Sequence, residues 1–381
     1  MKDIIIIGTG MAGYTLAREL RKHDQQSTLL LISRDDGAYY SKPMLSNALD
    51  KDKTADTLII SDADKMATDL DATIWNHTDV THIDAENHQI QCDRGAIEYK
   101  HLILACGANP IKIPFEGDAA DTIMSVNNLD DYRHFRTALE KQKRIVIIGA
   151  GLIGCEFAND LSTSDITIDI VDLAPQALGR LLPAGAAKEL QNRLLSKGVN
   201  WHLDNAVSSV NHKEGVLEVK LKSGEIIDTD IVLSAIGLRA SLQLANTAGL
   251  EVERGIKVDR HLKTSQDDIY ALGDCAQVED LNLPFVMPLM NAARALAASL
   301  AGNKTAVNYP AMPVVVKTPI YPIVVCPPPR PVEGQWEEEV TETGIRAKFK
   351  DTQGTLQGFA LTGELVKERM LMAKEVPDWL S

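Results

Sequence analysis

Two stretches of the chain share one pattern of apolar and polar positions. The first runs from Asp3 to Leu20 and the second from Arg144 to Leu161. Each opens with a run of isoleucine and valine, which is typical of a strand buried on both faces of a parallel sheet. A Gly-x-Gly-x-x-Gly motif follows, and the apolar residues after it recur at helical spacing. The pattern predicts a strand, a tight turn and a helix, twice.

The glycines of the two repeats predict two dinucleotide sites. In the first repeat Gly8 permits the turn, Gly10 lets a pyrophosphate approach the backbone, and Gly13 lets the helix lie close to the strand. Free N–H groups at the helix N-terminus then face the phosphates. The second repeat has the corresponding residues Gly149, Gly151 and Gly154. Two sites in one chain suggest that one cofactor passes reducing equivalents to the other.

The residue that ends the second strand differs between the repeats. In the second repeat the run Thr167–Val171 ends at Asp172, about twenty residues beyond the glycines. A carboxylate there accepts hydrogen bonds from ribose hydroxyls and repels a 2′-phosphate, so NADH is favoured over NADPH. In the first repeat the run Thr28–Ser33 ends at Ser33, with Arg34 next. The ribose contact of the first site is therefore undetermined by sequence.

Other apolar runs predict an α/β chain with a separate C-terminal module. We expect helices at 62–71, at the end of 111–140 and at 285–302, and strands at 73–75, 80–83, 88–92, 96–99, 101–107, 217–221, 225–227 and 231–236. Beyond Tyr309 we expect a small antiparallel sheet and a closing helix at 363–373, with Glu337–Glu339 on a solvated edge. Asp274 follows a buried strand, where its carboxylate either meets a cofactor's hydroxyls or caps a helix beginning near Cys275.

Composition and charge narrow the function class. The 381 residues carry a formal net charge of −14, which argues against a nucleic-acid-binding surface. The first strand begins at once after Met1, so we expect no signal peptide and a cytoplasmic location. The apolar region at 285–302 contains Asn291 and Arg294, so we expect no membrane insertion. None of the five cysteines stands in a Cys-x-x-Cys or metal-ligand spacing, so we expect no metal site.

With these motifs in view, the chain resembles the FAD-dependent pyridine-nucleotide oxidoreductases. The resemblance rests on the two glycine motifs and on Thr264 followed by Tyr270-Ala271-Leu272-Gly273-Asp274. It implies a glutathione-reductase-like fold with two Rossmann-like domains, in which the FAD domain is split by the NAD domain. The implied boundaries are 1–109 and 237–308 for FAD, 110–236 for NAD(H), and 309–381 for a small C-terminal α+β domain.

Within this family the chain is most similar to the flavoproteins that reduce rubredoxin in bacterial alkane-oxidising systems. The residues concerned include Ser41–Leu45, Gly151–Leu161, Gly273–Ala276, Met287–Met290 and Val314–Pro319. The resemblance implies rubredoxin as the one-electron partner and a monomer or weak dimer. Two departures are Ser33, where an acid is frequent, and Cys106, where threonine is frequent.

The resemblance also implies the roles of particular residues. Lys42 and Glu156 would lie beside the flavin as a buried ion pair, although Glu156 in the first turn of a helix could instead be favoured by the helix dipole. Asp274 would hold the ribityl chain, and Lys317 would approach the flavin's pyrimidine end or be an ordinary exposed lysine. Separately, because rubredoxins are themselves usually acidic, we expect a local basic or apolar docking patch near the flavin edge, with Lys42, Lys317 and Arg330 as candidates. Further implied FAD contacts are Thr9, Met11, Ala12, Ser33, Arg34, Val80 and Val286, beside the three glycines of the first motif.

The cysteine positions argue against two other functions found in this family. A disulfide reductase needs a Cys-x-x-Cys pair or a close equivalent, and a peroxide-reducing relative needs a lone reactive cysteine near 39–49. Neither is present. An NADH oxidase and an NADH-dependent ferredoxin reductase share the same core and remain alternatives. A slow-turnover binding protein that senses FAD and NADH, similar to apoptosis-inducing factor, is a further alternative.

Overall fold

The computed structural model describes all of residues 1–381 and contains nine α-helices. The α-helices are α1 (Met11–Arg21), α2 (Ala55–Leu58), α3 (Ala63–Leu70), α4 (Leu129–Leu139), α5 (Leu152–Leu161), α6 (Ala184–Leu195), α7 (Gln243–Thr247), α8 (Val286–Leu300) and α9 (Arg369–Ala373). Short 3-10 helices occupy Lys42–Asn47, Ala120–Thr122, Gly273–Cys275 and Gly363–Glu368. No helix is both long enough and apolar enough to cross a membrane.

The chain also contains 25 strands. They are β1 (Lys2–Ile7), β2 (Leu29–Ile32), β3 (Tyr39–Tyr40), β4 (Ile59–Ser61), β5 (Thr73–Trp75), β6 (Val80–Asp84), β7 (Gln89–Cys92), β8 (Gly95–Leu104), β9 (Ala108–Pro110), β10 (Arg144–Ile148), β11 (Thr167–Val171), β12 (Val199–His202), β13 (Val207–Lys213), β14 (Val216–Leu221), β15 (Ile226–Thr229), β16 (Ile231–Ser234), β17 (Leu238–Ala240), β18 (Ile256–Val258), β19 (Ile269–Ala271), β20 (Ala276–Val278), β21 (Val314–Val316), β22 (Ile323–Cys326), β23 (Gly334–Val340), β24 (Ile345–Asp351) and β25 (Leu356–Thr362).

The first glycine repeat lies in a seven-stranded sheet in the order β5-β2-β1-β8-β7-β6, with β19 beside β8. β1 runs parallel to both β2 and β8, and Ile4 stands opposite Leu29 and His101. All four isoleucines of β1 are buried, as their unbroken apolar run predicts. Because β19 belongs to this sheet, residues from after the second repeat complete the sheet of the first.

The second glycine repeat lies in a parallel sheet in the order β12-β11-β10-β16. An antiparallel sheet of β13, β14 and β15 adjoins it in sequence. The chain passes between the two repeats along β9 and β17, which pair with each other so that Asn109 stands opposite Arg239. The carboxyl ends of β1 and β10 both lead into glycine turns, which is where α/β sheets bind ligands.

The C-terminal sheet, in the order β21-β22-β25-β24-β23, packs against both repeats. Val324 and Phe359 belong to the apolar core of the first repeat, whereas Ile323 and Ala360 belong to the core of the second. Neighbouring residues of a strand point to opposite faces, so the central strands β22 and β25 bury both faces of this sheet, whereas the edge strand β23 is exposed. The C-terminal module is therefore a structural layer shared by both cores.

Several elements differ from the sequence prediction. The predicted strands 96–99 and 101–107 form the single strand β8, whose first half pairs with β7 in a hairpin and whose second half joins the parallel sheet. No α-helix begins near Cys275, because a 3-10 turn leads directly into β20. The closing helix is interrupted, with a 3-10 helix before α9. Elements that the pattern did not predict are the helices α2, α6 and α7 and the strands β3, β4, β9, β12, β13, β17, β18, β20 and β25.

Replacing Phe359 with alanine is expected to destabilise the whole protein. Phe359 is fully buried in the C-terminal sheet and belongs to the core of the first repeat. Truncating such a side chain costs about 3–5 kcal/mol of unfolding free energy. The matched control is Val340→Ala on β23, where the side chain is 74% exposed. Thermal and denaturant unfolding would measure the loss of unfolding free energy in each variant. Equal losses in the two variants would contradict the description of the sheet as a shared layer.

Candidate cofactor site

A cavity of about 2140 Å³ runs along both glycine repeats. Its lining includes the turn Gly8–Ala12, the turn Gly149–Leu152 and residues 312–315 of the C-terminal module. A pocket for one drug-sized ligand measures roughly 300–1,000 Å³, so this cavity has room for two dinucleotides.

The first glycine of each motif forms the turn. Gly8 has φ +115° and Gly149 has φ +111°, a region that favours glycine. A Cβ atom at Gly8 would also collide with the carbonyl oxygen of Ala105, and one at Gly149 would lie 2.7 Å from that of Ala235. The third glycines, Gly13 and Gly154, lie where a Cβ atom would strike the carbonyl oxygen of the first glycine in their own motif.

The middle glycines lie against empty space. A Cβ atom at Gly10 or at Gly151 would meet nothing within 4 Å. The protein fold does not require glycine there, yet both residues line the cavity at the start of α1 and α5. This arrangement fits a pyrophosphate that approaches the backbone at each helix N-terminus.

At the end of β2, where the chain has Ser33 in place of an acid, the side chain of Asp35 brings a carboxylate to the strand end. Ser33 Oγ donates to Asp35 Oδ1 at 2.5 Å and accepts a hydrogen bond from Thr9 Oγ1 at 2.7 Å. Asp35 also accepts from the backbone N–H of Gly37. Sequence analysis missed Asp35, and the signal for it was an acid two residues beyond the expected place. Arg34 lies next to it in sequence and forms an ion pair with Asp79 at 2.9 Å.

At the end of β11, Asp172 bonds the second glycine turn. One carboxylate oxygen accepts from the backbone N–H of Ala150 at 2.5 Å, and the other accepts from that of Ala174 at 2.7 Å. Asp172 lines the cavity, as do the basic residues Arg180 and Lys222.

Lys42 and Asp274 both line the cavity, and they form no direct bond with each other. Burial lowers the pKa of Lys42, although the charges of Asp274 and Asp131 raise it. Burial raises the pKa of Asp274, and the charge of Lys42 opposes that shift. A half-buried ammonium and a half-buried carboxylate that line a cavity without bonded partners fit a ligand with polar groups of its own. Val80 and Val286 line the same cavity, and Val286 is the first residue of α8.

Glu156 is fully buried near the middle of α5, where three donors reach its carboxylate. It accepts from Ser46 Oγ at 2.6 Å, from the backbone N–H of Lys317 at 2.9 Å and from Lys317 Nζ at 2.5 Å. The expected ion pair between Glu156 and Lys42 is therefore wrong, because Lys317 at the end of β21 provides the cation. The alternative of an exposed Lys317 is also wrong, since its side chain is only 22% exposed.

Two of the three candidate residues for the docking patch are bonded within the protein, and the patch itself stays a prediction. Arg330 binds both carboxylate oxygens of Asp280, at 2.6 and 2.7 Å, and donates to the carbonyl of Trp379. Lys317 is bound to Glu156, and Lys42 faces the cavity. The expected solvated acidic edge is confirmed, because Glu337–Glu339 are exposed on β23 at the edge of its sheet. Glu338 also accepts from the backbone N–H groups of Gly185 and Ala186 in α6.

The cysteines show no sign of an activated thiolate. All five are free, and Cys155, Cys275 and Cys326 are buried. Cys106 lines the cavity, yet burial raises the pKa of its thiol, and its sulfur lies 3.9 Å from the carbonyl oxygen of Ile7. A redox-active or nucleophilic cysteine needs the opposite shift.

The substitutions Gly10→Ala and Gly151→Ala are expected to weaken dinucleotide binding without unfolding the protein. A methyl group at either position meets no protein atom but occupies the space where a pyrophosphate would lie. Overpacking of this kind costs about 1–3 kcal/mol, or roughly tenfold to a hundredfold in Kd. Titration would show weaker FAD binding for Gly10→Ala and weaker NADH binding for Gly151→Ala. Unchanged Kd values in both variants, with unchanged melting temperatures, would contradict the cradle assigned to these glycines.

Comparison with known proteins agrees with this architecture. A family described as pyridine nucleotide-disulphide oxidoreductase matches residues 2–298, and one described as the rubredoxin binding C-terminal domain matches residues 306–376. The chain is 44% identical to a rubredoxin-NAD(+) reductase of Alcanivorax borkumensis over 99% of both chains. It is 46% identical to one of Acinetobacter baylyi, covering 99% of this chain and 98% of that one.

A solved structure shows the same fold. The crystal structure of a ferredoxin reductase from Rhodopseudomonas palustris matches with a TM-score of 0.89 and 25% identity, covering 99% of this chain and 96% of that one. Members of the pyridine nucleotide-disulphide oxidoreductase family are FAD- and NAD(H)-dependent enzymes. The expected fold class, two Rossmann-like units with a small C-terminal domain, is confirmed. This chain belongs to the pyridine nucleotide-disulphide oxidoreductase family.

Proposed function

We propose that the chain is an NADH-dependent rubredoxin reductase. The overall reaction is NADH + 2 oxidised rubredoxin → NAD⁺ + H⁺ + 2 reduced rubredoxin. The observation that carries the proposal is the single cavity along both glycine turns, which continues to a C-terminal module that matches the rubredoxin-binding type. FAD, when bound, supplies the step from a two-electron hydride donor to a one-electron iron acceptor.

The first glycine repeat would hold FAD. Gly8, Gly10, Gly13 and the N-terminus of α1 would receive its pyrophosphate, with Thr9, Met11 and Ala12 in the same turn. Asp35 supports this assignment, since it brings a carboxylate to the strand end where a ribose is held in related folds. Beyond the turn, Ser33, Arg34 and Val80 would contact the adenosine.

Polar groups in the rest of this cavity would position the flavin. The unbonded Lys42 ammonium is the donor best suited to a ring atom that gains negative charge, because burial strengthens its interaction with any acceptor. Asp274 would accept from hydroxyl groups of the cofactor, as its position after β19 supports. Val286 would contribute the free backbone N–H of a helix start. Glu156 would act through Lys317, whose ammonium and backbone it fixes.

The second glycine repeat would hold NADH. Gly149, Gly151 and Gly154 would receive the pyrophosphate, and Asp172 would accept from the ribose hydroxyls. Support comes from the position of Asp172 at the end of β11, where its carboxylate lies beside the glycine turn. No protein nucleophile is required, which accords with the raised thiol pKa values.

Rubredoxin is the proposed acceptor because two relatives at 44 and 46% identity bear its name and because of the C-terminal match. We further propose that the reduced rubredoxin serves alkane hydroxylation, which rests on the sequence resemblance alone. Ferredoxin is a second candidate acceptor, favoured by the close structural match to a ferredoxin reductase.

Anaerobic stopped-flow separates the acceptors. The FAD-bound protein is bleached with one equivalent of NADH and then mixed with oxidised rubredoxin, ferredoxin or oxygen. We expect rubredoxin to reoxidise the flavin faster than either of the others. Faster reoxidation by ferredoxin or by oxygen would instead assign a ferredoxin reductase or an NADH oxidase. Slow reoxidation by all three, with a persistent charge-transfer band, would indicate a binding protein.

The substitution Asp172→Ser is expected to reduce the preference for NADH over NADPH. Loss of a charge-assisted hydrogen bond costs about 1.5–3 kcal/mol, or roughly tenfold to a hundredfold in the ratio of the two kcat/KM values. The ratio is the informative quantity, because loss of the bond to Ala150 affects both nucleotides alike. The control is Asp169→Asn on the same strand, whose carboxylate bonds His202. An unchanged ratio in Asp172→Ser would remove this residue from the nucleotide site.

A further inference from the structure

One side of helix α5 carries three buried polar residues. They are Glu156, Asn159 and Asp160, which stand at helical spacing and are each less than 5% exposed. Residues three and four apart share a helix face, so the three form one row. A polar row in a buried helix is costly unless each member is bonded.

Asp160 bonds the segment that follows Lys42. Its two carboxylate oxygens accept from the backbone N–H groups of Leu49, at 3.0 Å, and of Asp50, at 2.9 Å. The 3-10 helix just before these residues begins at Lys42 and contains Ser46, which donates to Glu156. The segment is therefore attached to α5 at two points about one helical turn apart.

The segment also packs against the second unit through apolar side chains. It belongs in sequence to the first repeat, between β2 and β5, yet Leu45 and Ala48 are buried in the apolar core of the second. It thus leaves the first sheet and crosses to the second unit. Asn159 makes the matching contact to the C-terminal module, where its side-chain oxygen accepts from the backbone N–H of Ile320 at 3.2 Å.

Asp160 does not line the cavity, although Glu156 in the same row does. Glu156 and Lys42 line the cavity, whereas Asp160 is absent from the lining. Burial raises the pKa of Asp160, although the two backbone donors lower it. No basic side chain forms an ion pair with it, so its bonds are those to the backbone of the Lys42 segment.

We infer that Asp160 is a positioning residue for the hydride-transfer step, and this inference rests on the proposed function. Helix α5 begins at the glycine turn proposed to hold the pyrophosphate of NADH, so it connects that turn directly to the segment that carries Lys42. Hydride transfer requires reacting atoms about 3–3.5 Å apart. Asp160 sets the separation of the two halves of the site by fixing that segment to α5.

The inference predicts a selective loss in one half-reaction. With FAD-bound protein, Asp160→Ala should lower the limiting rate of flavin reduction at saturating NADH by about tenfold to a hundredfold, the effect of a misplacement near 1 Å. Asp160→Asn, which keeps one acceptor oxygen, should fall between this variant and the natural protein. The rate at which oxidised rubredoxin reoxidises pre-reduced flavin should stay within twofold in both variants, since electron transfer does not need that contact geometry.

The matched control is Asp165→Asn. Asp165 lies in the turn after α5, is 96% exposed and pairs with Lys143, so its removal should leave both half-reactions unchanged. All rates are referred to bound FAD, and Asp160→Asn serves as the test if Asp160→Ala does not fold.

Different results overturn different statements. If NADH reduces the flavin of the natural protein but the limiting rate is unchanged in the Asp160 variants, the positioning role is wrong and the proposed function stands. Equal losses in reduction and reoxidation would also overturn it, since they would indicate general damage. If NADH does not reduce the flavin of the natural protein at all, the proposed function itself fails, and the inference fails with it.

Discussion

The arrangement of the site depends on one buried carboxylate. Glu156 is fully buried, and it is bonded by groups from two other parts of the chain, the segment after β3 and the start of the C-terminal module. A buried charge is tolerated only when its partners are close and well directed. The buried carboxylate needs donors from more than one part of the chain. Its hydrogen bonds therefore fix the two glycine repeats and the C-terminal sheet in one relative position.

The cations that line the site or lie in the C-terminal module differ in whether a carboxylate of the protein binds them. Lys317 and Arg330 are both bound to carboxylates within the protein. Lys42 is half-buried in the lining of the cavity, and no carboxylate is bonded to it. An unpaired buried ammonium is unfavourable in the absence of an acceptor, so a cofactor with polar ring atoms would stabilise the folded protein when it binds.

The parts of the structure that sequence could predict are the local ones. The glycine motifs lie between their strands and helices as expected, and Asp172 follows its strand, because a few neighbouring residues determine a tight turn. The errors concern contacts between distant residues. The partner of Glu156 comes 161 positions later in the chain, and no local pattern favours Lys317 over Lys42. Asp35 was missed because the acid was expected at Ser33, at the end of β2. Asp35 lies two residues further along and brings its carboxylate back to that place.

The shared C-terminal sheet limits how an electron acceptor can affect the rest of the site. Because its faces are buried in both cores, the module cannot shift without disturbing both units. Lys317 begins the loop after its first strand and is bonded to Glu156, four residues before Asp160 in the same helix. A partner that binds the outer strands therefore meets a rigid surface, and its rate of reduction should depend on docking and on the flavin. Hydride transfer, by contrast, depends on the contacts of α5, so the two half-reactions are controlled by different parts of one fold.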